Sequence, residues 1–135
     1  MEYATFDESK FPIVIITFRA EEPTIEEFEN YLNKALEIYQ RKTPVSFVFD
    51  CTLSKYLRAE LRIKQAEWLK KHKELISTWQ KCFVFVMPNK LVRVILDAIM
   101  FITPLPAPHV IVKTLEEGLA EATKALQAAG VAVPQ

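Results

Sequence analysis

The chain has 135 residues, half of them apolar, and its seventeen bases balance its seventeen acids. That is enough for one substantial core, and it leaves none of the net positive charge that general nucleic-acid binders carry. With only Gly118 and Gly130 in the whole chain, neither common phosphate-cradling glycine loop can form. No apolar run reaches the ~20 residues of a membrane-spanning helix.

The neutral total hides a segregation. Residues 1–40 carry nine acids and three bases, and residues 41–93 carry four acids and twelve bases. Such a dipole allows an oriented encounter with an acidic partner or an anionic surface. Cys51 and Cys82 each edge an apolar run, form no CxxC pair and lack zinc-site spacing to His. They read as reduced, buried thiols of a cytoplasmic protein. The acidic N-terminus lacks the apolar stretch of a signal peptide.

In chain order, residues 3–6 alternate as a short edge strand, residues 7–10 read as a turn, and residues 11–19 form an interior strand with Pro12 at its start. Thr24 to Glu27 is a capping box, opening a helix whose Phe28, Tyr31, Leu32, Ala35, Leu36 and Tyr39 share one face. Residues 45–50 form a buried strand ending in Asp50. A single basic helix is expected over residues 59–79, and a further buried strand over residues 82–87. Residues 91–102 form a helix with Arg93 and Asp97 as its only charges. At 100° per residue Val92, Leu96 and Ile99 lie well round from Val94, Ala98 and Phe101. The apolar arc is thus roughly twice the ~100° that packing on one sheet requires. A proline connector over residues 103–108 leads to a last strand, 109–112. Thr114 to Glu117 then opens a last helix, ended by Gly130.

The order ββαβαβαβα predicts a single α/β domain over residues 1–130. It holds a mixed, mostly parallel five-stranded sheet and four helices, with a loose tail at 131–135. That order at this length resembles the STAS domain, the fold of the sporulation anti-anti-sigma factors, and is similar to a wider group joining them to CRAL-TRIO-type lipid carriers. The likeness is to small SpoIIAA-like bacterial proteins. It is carried by Phe47-Val48-Phe49-Asp50, Glu67-Trp68-Leu69-Lys70-Lys71-His72, Phe83-Val84-Phe85-Val86, Leu91-Val92-Arg93, Pro104-Leu105-Pro106-Ala107-Pro108-His109 and Leu115-Glu116-Glu117-Gly118-Leu119. In the anti-anti-sigma factors an Asp ends the central strand, and a Ser in an Asp-Ser-Ser-Gly-like turn is phosphorylated at the start of the next helix. Asp50 matches the first. The second is absent: the region reads Leu53-Ser54-Lys55-Tyr56-Leu57.

Candidate site residues follow. Asp50, Thr52 and Ser54 are either turn formers or a phosphate switch at a helix start. Trp68 and His72, one turn apart, together with Arg93 and His109, either rim an aromatic pocket for an acidic apolar molecule or pack conventionally at the edge of the sheet. Val92, Leu96 and Met100, on the apolar helix, mark a partner or ligand surface, or else lie buried. No nucleophile–base set stands in a recognisable context, and no metal or cofactor is expected. The first reading is therefore a non-enzymatic interaction module that binds a protein partner, or itself, through residues 91–102. The second is a binder or sensor of a small apolar or lipid-like ligand near Trp68, His72 and the same helix.

Overall fold

A computed structural model describes residues 2–134. The strands are β1 (Ala4–Lys10), β2 (Ile13–Phe18), β3 (Val45–Asp50), β4 (Gln80–Val86) and β5 (His109–Val112). The helices are α1 (Ile25–Gln40), α2 (Ala59–Lys71), α3 (Lys73–Trp79), α4 (Lys90–Ile102) and α5 (Leu115–Ala128). The sheet order is β1-β2-β3-β4-β5, with β1 antiparallel to β2 and the other neighbours parallel. This is the expected mixed, mostly parallel α/β architecture.

Three local expectations change. The segment 7–10, expected as a turn, continues β1, with Asp7 opposite Ile15 and Lys10 opposite Ile13. Its polar residues line an outer strand, where charge discourages pairing with other chains. The expected single helix over 59–79 divides at His72 into α2 and α3, giving five helices rather than four. Leu61, Leu69 and Ile76 keep helical spacing through the break, so no change of period announces it. The tail after Gly130 carries Val131 and Val133 against the core on the α5 side. The Val131 N–H donates to Leu126 O and the Gly130 N–H to Gln127 O, a Schellman stop that Gly130 allows at φ 79°. Met1 and Gln135 lie outside the described residues.

Because the parallel strands advance steadily across the sheet, their right-handed crossovers put the intervening helices on one face. That face carries Phe18, Phe47, Phe49, Phe83 and Phe85 under α1, α2, α3 and α4. The other carries Ile13, Ile15, Val48, Val84 and Val86 under α5. Alternation along each strand sends every second residue to each side.

Two devices set these faces. At Gly118 an added Cβ would lie 3.2 Å from Val86 Cγ2 and 3.3 Å from Val48 Cγ1, so α5 rests almost directly on the sheet. Under the helices of the opposite face, the Gln80 amide donates to the Tyr39 hydroxyl at 2.6 Å and accepts from the Phe47 N–H at 2.9 Å. It satisfies the backbone where the β3–β4 register shifts. Among the described residues no buried side-chain nitrogen or oxygen lacks a hydrogen-bond partner.

Some of the segregated charges meet within the molecule. Arg41 pairs with Glu8, Arg58 with Glu22 and Lys64 with Glu29, each joining the basic middle of the chain to the acidic first third. These contacts use part of the dipole expected to steer a partner and leave most of its charges outside ion pairs among the described residues.

Candidate functional site

The carboxyl ends of β2 and β3 converge on a cavity of about 110 Å³. Such ends of a parallel sheet are where α/β folds leave space, because the chain departs there into loops that need not cover the crevice. Phe18, Phe49, Phe83 and Phe85 line it from the sheet. Phe28 and Tyr31 close it from α1, Leu69 from α2, and Val92, Ile95, Leu96 and Ile99 from α4. The wall is almost wholly apolar, and Phe49 stacks on Phe85 with centroids 5.1 Å apart.

The polar groups gather at the edge: Arg19 and Glu21 after β2, Ser54, Lys55 and Tyr56 after β3, and Gln65 on α2. Arg19 is held in a two-pronged pair with Glu27, at 2.7 and 2.6 Å. That guanidinium, with the Thr24 N–H, holds the Glu27 carboxyl down to about 2. Lys55 is exposed and makes no ion pair among the described residues. Within the wall, burial, then the Asp50 charge, pushes the Cys51 thiol up to about 12. Burial also raises Tyr3 and Tyr31 well above the usual phenol range. The interior of the site is therefore uncharged at neutral pH.

Of the residues expected from the sequence, Val92 and Leu96 line this cavity and are buried, so they face the interior rather than a partner. Met100 is half-buried against the same core. Trp68 and His72 do come together, with ring centroids 5.3 Å apart, but neither lines the cavity. Arg93 is exposed on α4. His109, also exposed, starts the outer strand β5, its ring 6.3 Å from Phe85. The four-residue rim of Trp68, His72, Arg93 and His109 is not assembled at the cavity. The edge is built instead by the loop after β3, which carries the candidate Ser54, and by the loop after β2, where no candidate residue was expected.

The hydroxyl group separates likewise. Asp50 Oδ1 accepts from the Thr52 N–H at 3.0 Å and from its hydroxyl at 2.6 Å, a turn-forming arrangement. Ser54 lies at the cavity edge, while the N-cap of α2 is Arg58. Ser54 is thus not at the helix start where a phosphate would gain from the dipole. The missed residues carried a signal: phenylalanine at alternate positions, 47 and 49 and again 83 and 85, stacks bulky rings on one face.

On the outer side of α4, Val94, Phe101 and Ile102 are 61, 91 and 44% exposed. The surplus apolar arc of this helix is therefore divided, one half facing the cavity and the other facing solvent. Among the described residues no group of His, Cys, Asp and Glu can hold a metal ion, and no helix is long and apolar enough to cross a membrane.

No protein-family model matches the chain, and no curated protein matches it. Among solved structures, an uncharacterised protein of the DUF3478 family from Shewanella loihica PV-4, described as having a SpoIIAA-like fold, superposes with a TM-score of 0.62. The identity is 15%, and the match covers 88% of this chain and 91% of that one. Likeness at that identity speaks for architecture alone: the chain has a SpoIIAA-like fold.

Proposed function

We propose that this domain is a non-enzymatic, cytosolic binder of a small apolar or lipid-like molecule, which places a narrow apolar part among α2, α4 and the aromatic face of the sheet. The observation that carries this reading is the apolar cavity itself. Protein interiors pack to crystal-like density with few voids larger than water. At ~24 cal/mol per Å³, a hollow of this size forgoes up to roughly 2–3 kcal/mol of packing energy. An occupant would recover much of that. The volume of about 110 Å³ falls short of the ~150 Å³ of an engineered cavity that admits benzene. It suits a short length of a single alkyl chain rather than an aromatic ring, with the polar end of the ligand left at Ser54, Lys55 and Gln65. The thiol of Cys51, held neutral by burial, gives a nucleophile no start, which supports a binding role over catalysis. Two reduced thiols suit a cytosolic setting.

The test is titration with hexanoate, whose short tail matches the hollow, followed by native mass spectrometry. A one-to-one complex is expected, and Val92→Phe, which fills the hollow, is expected to abolish it. A chain that binds no fatty acid and carries no apolar molecule when purified from cells would reject the reading.

A second reading has its own observation, the 91% exposure of Phe101. The outer face of α4 presents a large apolar group of the kind that marks partner surfaces, so a protein partner would dock there. Phe101→Ser should release such a partner while leaving the melting temperature unchanged.

A further inference from the structure

The two loops at the mouth of the cavity are held to different degrees. After β2, the Arg19 N–H donates to Tyr3 O at 3.0 Å. Its guanidinium reaches Glu21 O at 3.2 Å, Glu22 O at 3.4 Å and both carboxylate oxygens of Glu27. Pro23 is buried beside the capped start of α1. After β3, residues 51–58 are tied only near their ends. The Cys51 N–H donates to Val86 O at 3.0 Å, and the Ser54 N–H to Cys51 O at 3.1 Å. At the far end Leu57 is buried, and its carbonyl accepts from the Arg62 guanidinium at 3.0 Å. The Arg58 N–H donates to Glu22 Oε1 at 2.7 Å, and its guanidinium to Pro23 O at 2.8 Å. Between these ties the N–H groups of Leu53, Lys55 and Tyr56 donate to no backbone group among the described residues. Leu53 and Tyr56, bulky and largely apolar, are 57 and 59% exposed. Segments with few buried contacts and few backbone hydrogen bonds are the first to open.

We propose that residues 52–56 are the moving wall of the cavity, a flap rooted at Cys51 and Leu57 that opens to admit the ligand and then turns Tyr56 over it. This rests on the cavity being the site of an apolar ligand. Ser54, Lys55 and Tyr56 all line that cavity, so the flap carries part of its wall and groups that meet the ligand's polar end. A ligand shifts a conformational equilibrium only through contacts that differ between the two states. Here the bound molecule meets Ser54, Lys55 and the Tyr56 ring with the flap closed and loses them when it opens. The pair of Glu22 with Arg58 is the latch at the root, because it joins the loosely tied loop to the fixed one.

The other walls make poorer doors. β2, β3 and β4 each have a strand on both sides. Swinging α4 outward would bring Val92, Leu96 and Ile99 out of the core into water. Moving residues 52–56 uncovers no buried side chain, because all five are already at least partly exposed.

The test is a hexanoate titration of the whole chain carrying 3-fluorotyrosine at position 56, followed by nuclear magnetic resonance. Line shapes of the fluorine signal and of the amides around the cavity give both rates. The fluorine signal is expected to shift on binding, as the ring leaves solvent. Glu22→Ala, which undoes the latch, should raise association and dissociation together at least threefold and leave Kd within twofold. Tyr56→Ala, followed by the amides, should speed dissociation at least fivefold with association little changed, since the cover is lost. Both side chains lie at the surface, so melting should match the wild type; if Glu22→Ala melts lower, Arg58→Lys reports on the same latch. Binding with an unmoved Tyr56 signal, or with rates indifferent to the latch variants, overturns the flap and leaves the cavity reading intact. A change of Kd through one rate alone does the same. If the amides of α4 exchange with solvent in step with ligand release, that helix is the door and the flap falls. A chain that takes up no hexanoate removes both readings.

Discussion

The two faces of the sheet are packed by opposite means. On the α5 side, valines and isoleucines meet a helix brought so close that Gly118 has no room for a side chain without displacement. On the side of α1, α2 and α4, large phenylalanine rings hold the helices away from the strands, and space remains among them. Short branched side chains form a level surface that one helix can cover. Rings are rigid and leave gaps among the helices that cover them. A hollow follows from bulk arranged in the wrong shapes to close, and it opens where the strands end.

Changes on each face probe this difference. The largest expected effect is that of Phe49→Ala, which removes a ring stacked on its neighbours at the cavity floor. A loss of about 3–5 kcal/mol in denaturant unfolding is expected. A loss under ~2 kcal/mol would mean the aromatic face relaxes around the gap, so that its rings do not hold the helices apart. Next, Gly118→Val forces α5 off the sheet and should cost about 1–3 kcal/mol by overpacking. No cost there would remove the claim of close approach. Third, Val92→Phe adds similar bulk beside the cavity. It should change stability by less than ~1 kcal/mol, because unfilled volume receives the ring. If it destabilises as much as Gly118→Val, the two faces are equally tight and the contrast fails.

The smallest effects concern pH. Burial, then the neighbouring Lys71, lowers the pKa of His72 at the junction of α2 and α3. The folded state therefore takes up a proton less readily than the unfolded chain. The stability this confers is present above the ordinary histidine range and is lost as pH falls through and below it. Melting temperature should decline slightly between pH 7.5 and 5.5, and His72→Gln should flatten that decline. A separate loss is expected in more acid solution. Glu27, held at about 2 by Arg19 and the Thr24 N–H, contributes above the ordinary carboxyl range, and its contribution disappears as pH falls from there towards 2. Glu27→Gln should shrink that second decline, to which Glu2, Asp7 and Glu8, also held below the usual carboxylate range, contribute too, and leave the first.

How much of this was legible residue by residue varies with the range of the interaction. The capping box at Thr24 is written in four adjacent residues, and both of its bonds form. The run of Val45 to Phe49 likewise read as a buried strand before any fold was known. The division of α4 into two apolar sides was readable from angle alone. Which side would face inward was not, since Val92 and Val94 are chemically equal and only the neighbours of the helix distinguish them. The break at His72 left no mark, because the apolar spacing runs straight through it. Trp68, His72, Arg93 and His109 looked like a set because each is polar-tipped or aromatic. The topology leaves them away from the cavity edge, which short loops with no motif provide.

The order of strands and helices, their caps and the two-sided character of α4 were determined by the sequence alone, because each depends on residues a few positions apart. The placement of the hollow, its neutral wall and the choice of Ser54, Lys55 and Gln65 at its edge were decided by tertiary structure. These arise where β2, β3, α1, α2 and α4 meet, and the distance between groups from five segments is a property of packing that no local pattern records.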